Sequence, residues 1–179
     1  VRAPFWLYLL AAQFIDFLML ALVTLGLEKL EPGNFLEVAF ATMTSDMFIS
    51  HDIVPVLIWA ALFGLAVYAV MRNHVVALWC AALVLAHEVF NLLVGFEHHV
   101  LGPDTAAVGL NLYNNAPVSG LLIEAGICAG LVFWFCRRRA KRGAPASWRL
   151  QIGLYGVLVG STLATLLIAH RPPSAWLGW

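Results

Sequence analysis

Five apolar runs, each close to the length a helix needs to cross a bilayer, divide this chain, and its acids and histidines gather toward one end of them. A spanning helix takes about 20 apolar residues. Runs at 4–27, 53–72, 75–96, 117–136 and 150–170 meet that length. Of the 179 residues, 62% are hydrophobic and only 11% charged, with a mean hydropathy of +0.87. A soluble domain of that size needs more polar surface. The expected fold is therefore all-α: one polytopic integral membrane helical bundle over residues 1–179, with five transmembrane helices. The first run is long enough to read as a retained helix rather than a cleaved signal. Membrane lipids are the expected partners. A formal net charge of zero, with no basic stripe interleaved with exposed aromatics, argues against a nucleic-acid partner.

Lysine and arginine set the orientation. Six of the ten basic residues lie in one loop: Arg137, Arg138, Arg139, Lys141, Arg142 and Arg149. Arg72 marks the turn between the second and third runs, and Arg2 precedes the first. Five spans bring all of these to one side, which the positive-inside rule makes cytoplasmic. The N-terminus is then inside and the C-terminus outside. Trp148, Trp176 and Trp179 fall at run ends, where aromatic side chains anchor to the interface. The opposite side is acidic. Its first loop, 28–52, holds Glu28, Glu31, Glu37, Asp46, His51 and Asp52, and its second, 97–116, holds Glu97, His98, His99 and Asp104. Pro32-Gly33-Asn34 predicts a turn. The stretch Phe35–Ile49 after it predicts a helix lying on the surface. Cys80, Cys128 and Cys136 sit inside apolar runs with no paired spacing and read as small buried hydrophobes.

Polar groups also enter the apolar runs: Asp16 in the first, His87, Glu88 and Asn91 in the third, Glu124 in the fourth. An ionisable group in hydrocarbon costs at least ~2.5–3.5 kcal/mol, so it normally faces a partner or a wet cavity. At ~1.5 Å per residue, Asp16, His87 and Glu124 lie roughly 16, 14 and 10 Å below the outer ends of their helices. Asn91 shares a face with His87, and Gln13 with Asp16. Carboxylates and imidazoles at one depth form a donor set for a divalent metal, zinc or similar, with Asp46 and His51 capping the pocket from the loop above. His74 and His170, at run ends, read as interfacial. No H-E-x-x-H, P-loop, G-x-S-x-G or dinucleotide fingerprint occurs. A single deep histidine is too few for a haem held between helices.

The segments Gln13-Phe14-Ile15-Asp16, Leu25-Gly26-Leu27-Glu28, Ser50-His51-Asp52-Ile53, Ala86-His87 and Gly109-Leu110-Asn111-Leu112-Tyr113-Asn114-Asn115, then Pro117 and Glu124, follow one another in a recognisable order. Over residues 10–135 the chain resembles a family of small bacterial inner-membrane proteins described as membrane-bound metal-dependent hydrolases, or loosely as permeases. The resemblance implies a bacterial inner-membrane location. It implies a metal site among Asp16, Asp46, His51, His87, Asn91 and Glu124, with Glu28, His98, His99 and Asp104 as secondary candidates. Two departures stand out. Asn91 occupies the place of the family's aspartate, and Val94–Asp104 replaces its Thr-His-Arg-Pro-Asp stretch. The degenerate positions leave two alternatives to a hydrolase: a non-catalytic subunit of a larger membrane complex, and a small transporter using the intramembrane acids.

Overall fold

The structure, a computed structural model, describes residues 3–177. Arg2 and Trp179, assigned above to the interfaces, lie outside the described residues. The chain is predominantly helical, with only two short antiparallel strand pairs. Four helices are long and apolar enough to cross a membrane: Ile53–Met71, His74–Val94, Pro117–Lys141 and Trp148–Ile168. A bent pair, Phe5–Ala12 and Phe14–Thr24, makes a fifth if counted as one span. The elements gather into two compact units. One holds the chain up to Gly33 together with 44–111, the other 34–43 with 112–179.

In the first unit, α1 (Phe5–Ala12) and α2 (Phe14–Thr24) meet at a 56° bend instead of forming the single run expected from 4–27. The break is at Gln13, whose backbone leaves the helical region (φ −114°, ψ 7°). Helices α3 (Ile53–Met71) and α4 (His74–Val94) form an antiparallel hairpin. Arg72, in the left-handed region at φ 52°, ends α3. The Asn73 side chain then accepts from the Val75 and Val76 amides at 3.1 and 3.2 Å, capping α4. This reverses the chain in two residues, which an apolar pattern alone does not reveal. One buried cluster joins Leu7 and Ala11 of α1 to Val67, Val76, Ala77 and Cys80. A second joins Ile15 of α2 to Val56, Ala60 and Val84.

Strand β1 (Lys29–Glu31) pairs antiparallel with β2 (Thr44–Asp46). A second pair, β3 (His98–His99) and β4 (Ala107–Val108), closes a short hairpin after α4. Asp52 precedes α3 but does not cap it. Its carboxylate accepts from the His99 amide at 2.8 Å and the Gly102 amide at 2.5 Å, pinning this hairpin to the start of α3.

The surface helix expected over Phe35–Ile49 is not formed. The segment makes two single 3-10 turns, Phe35–Glu37 and Phe40–Thr42, and then β2. Its apolar residues lack a sustained 3.6-residue period, and backbone pairing of β2 with β1 takes over.

The second unit contains α5 (Leu112–Asn115), α6 (Pro117–Lys141) and a further helical run. That run starts as α7 (Trp148–Leu154), widens through a π turn at Tyr155–Val159, and continues as α8 (Gly160–Ala164). A 3-10 turn over Thr165–Ile168 and a final short α9 (Ser174–Leu177) follow. The Asn114 amide donates to the Phe40 and Met43 carbonyls at 2.9 and 2.8 Å, tying the 34–43 segment to α5.

Close approach of α3 and α4 depends on Gly64. A Cβ there would lie 3.2 Å from the Ala81 Cβ and 3.4 Å from the Ala77 carbonyl oxygen. Gly64→Leu should force the hairpin apart at a cost of about 1–3 kcal/mol. The expected outcome is a melting temperature several degrees lower in detergent, read by intrinsic tryptophan fluorescence.

Candidate metal centre

Three elements of the first unit converge at its polar centre. Asp16 sits in the first turn of α2, just after the bend. His51 lies in the turn that leads into α3. His87 lies two-thirds of the way along α4. The Asp16 Oδ1 atom is 3.5 Å from His51 Nε2 and 3.3 Å from His87 Nε2. One ligand atom from each residue falls within 4.8 Å of the other two. His51 and His87 are 2% and 13% exposed and Asp16 is 40% exposed, so the group opens on its Asp16 side.

Hydrogen bonds behind the rings establish what the three residues present to one another. His87 Nδ1 is 2.8 Å from the Ala12 carbonyl, which can only accept, so Nδ1 carries a proton, and in the neutral ring Nε2 carries the lone pair. The last carbonyls of a helix have no partner within it. The break at Gln13 supplies such a carbonyl at Ala12, opposite α4.

His51 is set by a longer relay. Glu28, 2% exposed, accepts from the Ile49 and Ser50 amides at 2.9 and 2.7 Å. The Ser50 hydroxyl also donates to it, at 3.0 and 2.8 Å from its two oxygens. With its single proton committed to Glu28, Ser50 Oγ accepts from His51 Nδ1 at 2.8 Å. In the neutral ring, His51 Nε2 likewise presents a lone pair toward Asp16.

With both rings neutral, two imidazole lone pairs and a carboxylate face one another at these distances, and either a proton taken up by a ring or a divalent ion would lie between them. Consistent with this, His87 Nε2 is a buried nitrogen without a hydrogen-bond partner. The arrangement fits a divalent metal. Zinc bonds to nitrogen and oxygen of ~2.0–2.2 Å at tetrahedral angles place ligand atoms about 3.3–3.6 Å apart. The observed 3.3 and 3.5 Å separations fall in that range. Partners that fix the ring tautomers from behind are the usual second shell of such sites.

His98 stacks on His51, with ring centroids 5.3 Å apart and planes 16° from parallel. It is 3% exposed. Burial above all, then the neighbouring imidazoles of His51, His99 and His87, pushes it down to about 3. It is neutral and forms a wall of the site, and it is not among the three residues whose ligand atoms converge. Glu88, also buried, has both carboxylate oxygens without a hydrogen-bond partner. Asn91 offers it only a contact short of hydrogen-bond geometry.

The remaining sequence candidates go elsewhere. Asp46 is exposed on β2, register partner of Lys29, and Asp104 is exposed in the turn between β3 and β4. The placement of Asp46 follows from the strand pairing that displaced the expected surface helix. Asn91 is turned to Glu88 instead of joining the ligand group. His99 contributes its backbone amide to Asp52. Glu28 acts behind His51, through Ser50. Glu124 stands in the second unit, where Tyr113 donates to it at 2.7 Å and Thr162 at 3.4 Å. Its depth reads from the sequence, but depth says nothing about which way a helix is turned. Ser50 was missed by sequence reasoning, although its place beside His51 was the signal. The three cysteines are free thiols. No known protein family, no curated protein and no solved structure matches this chain.

Ser50→Ala should leave His51 without its orienting acceptor. The expected result is metal binding weakened about 10–100-fold in a chelator competition, with the fold retained. A second expectation concerns acid. The unfolded chain takes up a proton on His98 near pH 6.5, and the folded one does not until about pH 3. Metal-free protein should therefore lose stability as pH falls below about 6.5. His98→Gln should flatten that fall in melts recorded between pH 7 and 5.

Proposed function

We propose that this chain is a membrane-embedded, metal-dependent hydrolase whose metal is held by Asp16, His51 and His87. The observation that carries the reading is the pair of histidines whose Nδ1 atoms are hydrogen-bonded behind them, so that both Nε2 atoms converge with one carboxylate within reach of a single ion. Two histidines and a carboxylate are the protein donors of many catalytic zinc sites, which keep a position open. A divalent metal there supplies Lewis acidity and lowers the pKa of a bound water to about 7.

The chain's own groups support the rest of this role. The exposed side of Asp16 is the approach to the site. Ser50 and Glu28 hold His51 in register, and the Ala12 carbonyl holds His87. Glu88 follows His87 directly, is buried and has no hydrogen-bond partner, and we assign it the proton-transfer role beside the site. The resemblance to bacterial inner-membrane hydrolases agrees with this reading. Of its expected donors, the proposal keeps Asp16, His51 and His87. The helices are placed across the inner membrane with the basic 137–149 loop inside, the N-terminus inside and the C-terminus outside. Asp16, His51 and His87 then open toward the outer face.

The test is metal analysis joined to turnover. Purified protein should hold about one first-row divalent ion per chain, and Asp16→Asn and His87→Ala should each lose it. Glu88→Gln should keep the ion and lose most hydrolysis across a panel of ester, amide and phosphoester substrates. Wild-type protein without metal, or a His87→Ala variant with full metal content, would sink the proposal.

A further inference from the structure

The end of α6 and the start of α7 carry a second polar feature, in the other unit. Arg138 stacks over Trp134 at 5.0 Å, Arg139 over Phe135 at 5.8 Å and Arg149 over Trp148 at 5.5 Å. The first two pairs are four residues apart and so share a helix face. Arg137, Lys141 and Arg142 add exposed charge to the same stretch, and the three stacking rings are exposed too. Among the described residues, no carboxylate pairs with this group. Residues 125–179 contain no Asp or Glu. Among the described residues, ion pairs to carboxylates come only from histidine.

We propose that this girdle binds the headgroups of anionic phospholipids. The inference builds on placing the helices in a membrane and is independent of the metal site. Aromatic side chains settle at headgroup depth, where their apolar bodies and polar surroundings are both satisfied. A guanidinium over the face of such a ring is held at that depth by the cation–π contact. A guanidinium also offers the fork of N–H donors that matches two phosphate oxygens. Arg139 spends one donor, its Nε, on the Ala144 carbonyl at 3.0 Å, which fixes the loop between the helices and leaves its terminal nitrogens available. Below the girdle, α6 shows Leu131, Phe133, Trp134 and Phe135 to the outside, an apolar face suited to the acyl chains of the same lipid. The charge complement is a phosphate that carries a net negative headgroup, as phosphatidylglycerol does, in preference to a zwitterionic one.

Full-length protein in mild detergent, offered equal phosphatidylglycerol and phosphatidylcholine and examined by native mass spectrometry, tests this. Wild type should retain phosphatidylglycerol in preference. The triple variant Arg138→Gln, Arg139→Gln, Arg149→Gln should lose that preference, by about fivefold per charge removed. Trp134→Ala with Trp148→Ala keeps every charge and should still weaken retention, which separates stacked arginines from diffuse attraction. Each variant is checked for wild-type melting behaviour, and single substitutions replace any combination that fails to fold. Equal retention of the two lipids, wild-type retention by the triple variant, or displacement of the lipid by inorganic phosphate at equal concentration would each overturn the proposal.

Discussion

Lone pairs that face one another across 3.3–3.5 Å repel unless a cation or a proton lies between them. The centre of the first unit is built around that constraint. Asp16 is brought against two imidazoles, and both rings are held with their Nε2 atoms toward it. A divalent ion or a proton on a ring resolves the repulsion, and the hydrogen bonds behind the rings set which ring atoms face the carboxylate.

Several irregularities of the fold serve this centre. The bend at Gln13 interrupts an apolar run that could have continued as one helix, and its consequence is an Ala12 carbonyl that His87 can use. The turn before α3 places Ser50 and His51 side by side over the buried Glu28, which takes two backbone amides as well as the serine hydroxyl. Asp52 carries the hairpin that supplies His98 against His51. Each device spends a backbone or side-chain partner that regular secondary structure would have used differently. Such departures collect at functional sites.

The second unit treats the acid in its own apolar run differently. Glu124 has its oxygens taken by Tyr113 and Thr162, so it needs no ion and ties α6 to its neighbours. Glu124 and Asp16 look alike in the sequence, each a lone acid in an apolar run. Their surroundings separate them: hydroxyl donors meet Glu124, whereas two imidazole nitrogens meet Asp16.

The sequence by itself determined the helical class, the number and length of the apolar runs, the acidic and basic ends, and the presence of Asp16 and His87 at similar depth. These follow from composition, periodicity and the rise of a helix, all local quantities. It also pointed to His51 in the loop above them. Only the tertiary structure decided that Asp16, His51 and His87 meet while Asp46, Asn91 and Asp104 do not, that Glu28 acts through Ser50, and that the first run is broken. Those outcomes depend on how each helix is rotated about its axis and on which backbone groups the turns leave without partners. Rotation and pairing are settled by packing between segments distant in the chain, such as Ala12 with His87 or Glu28 with Ser50, and no local pattern of residues encodes them.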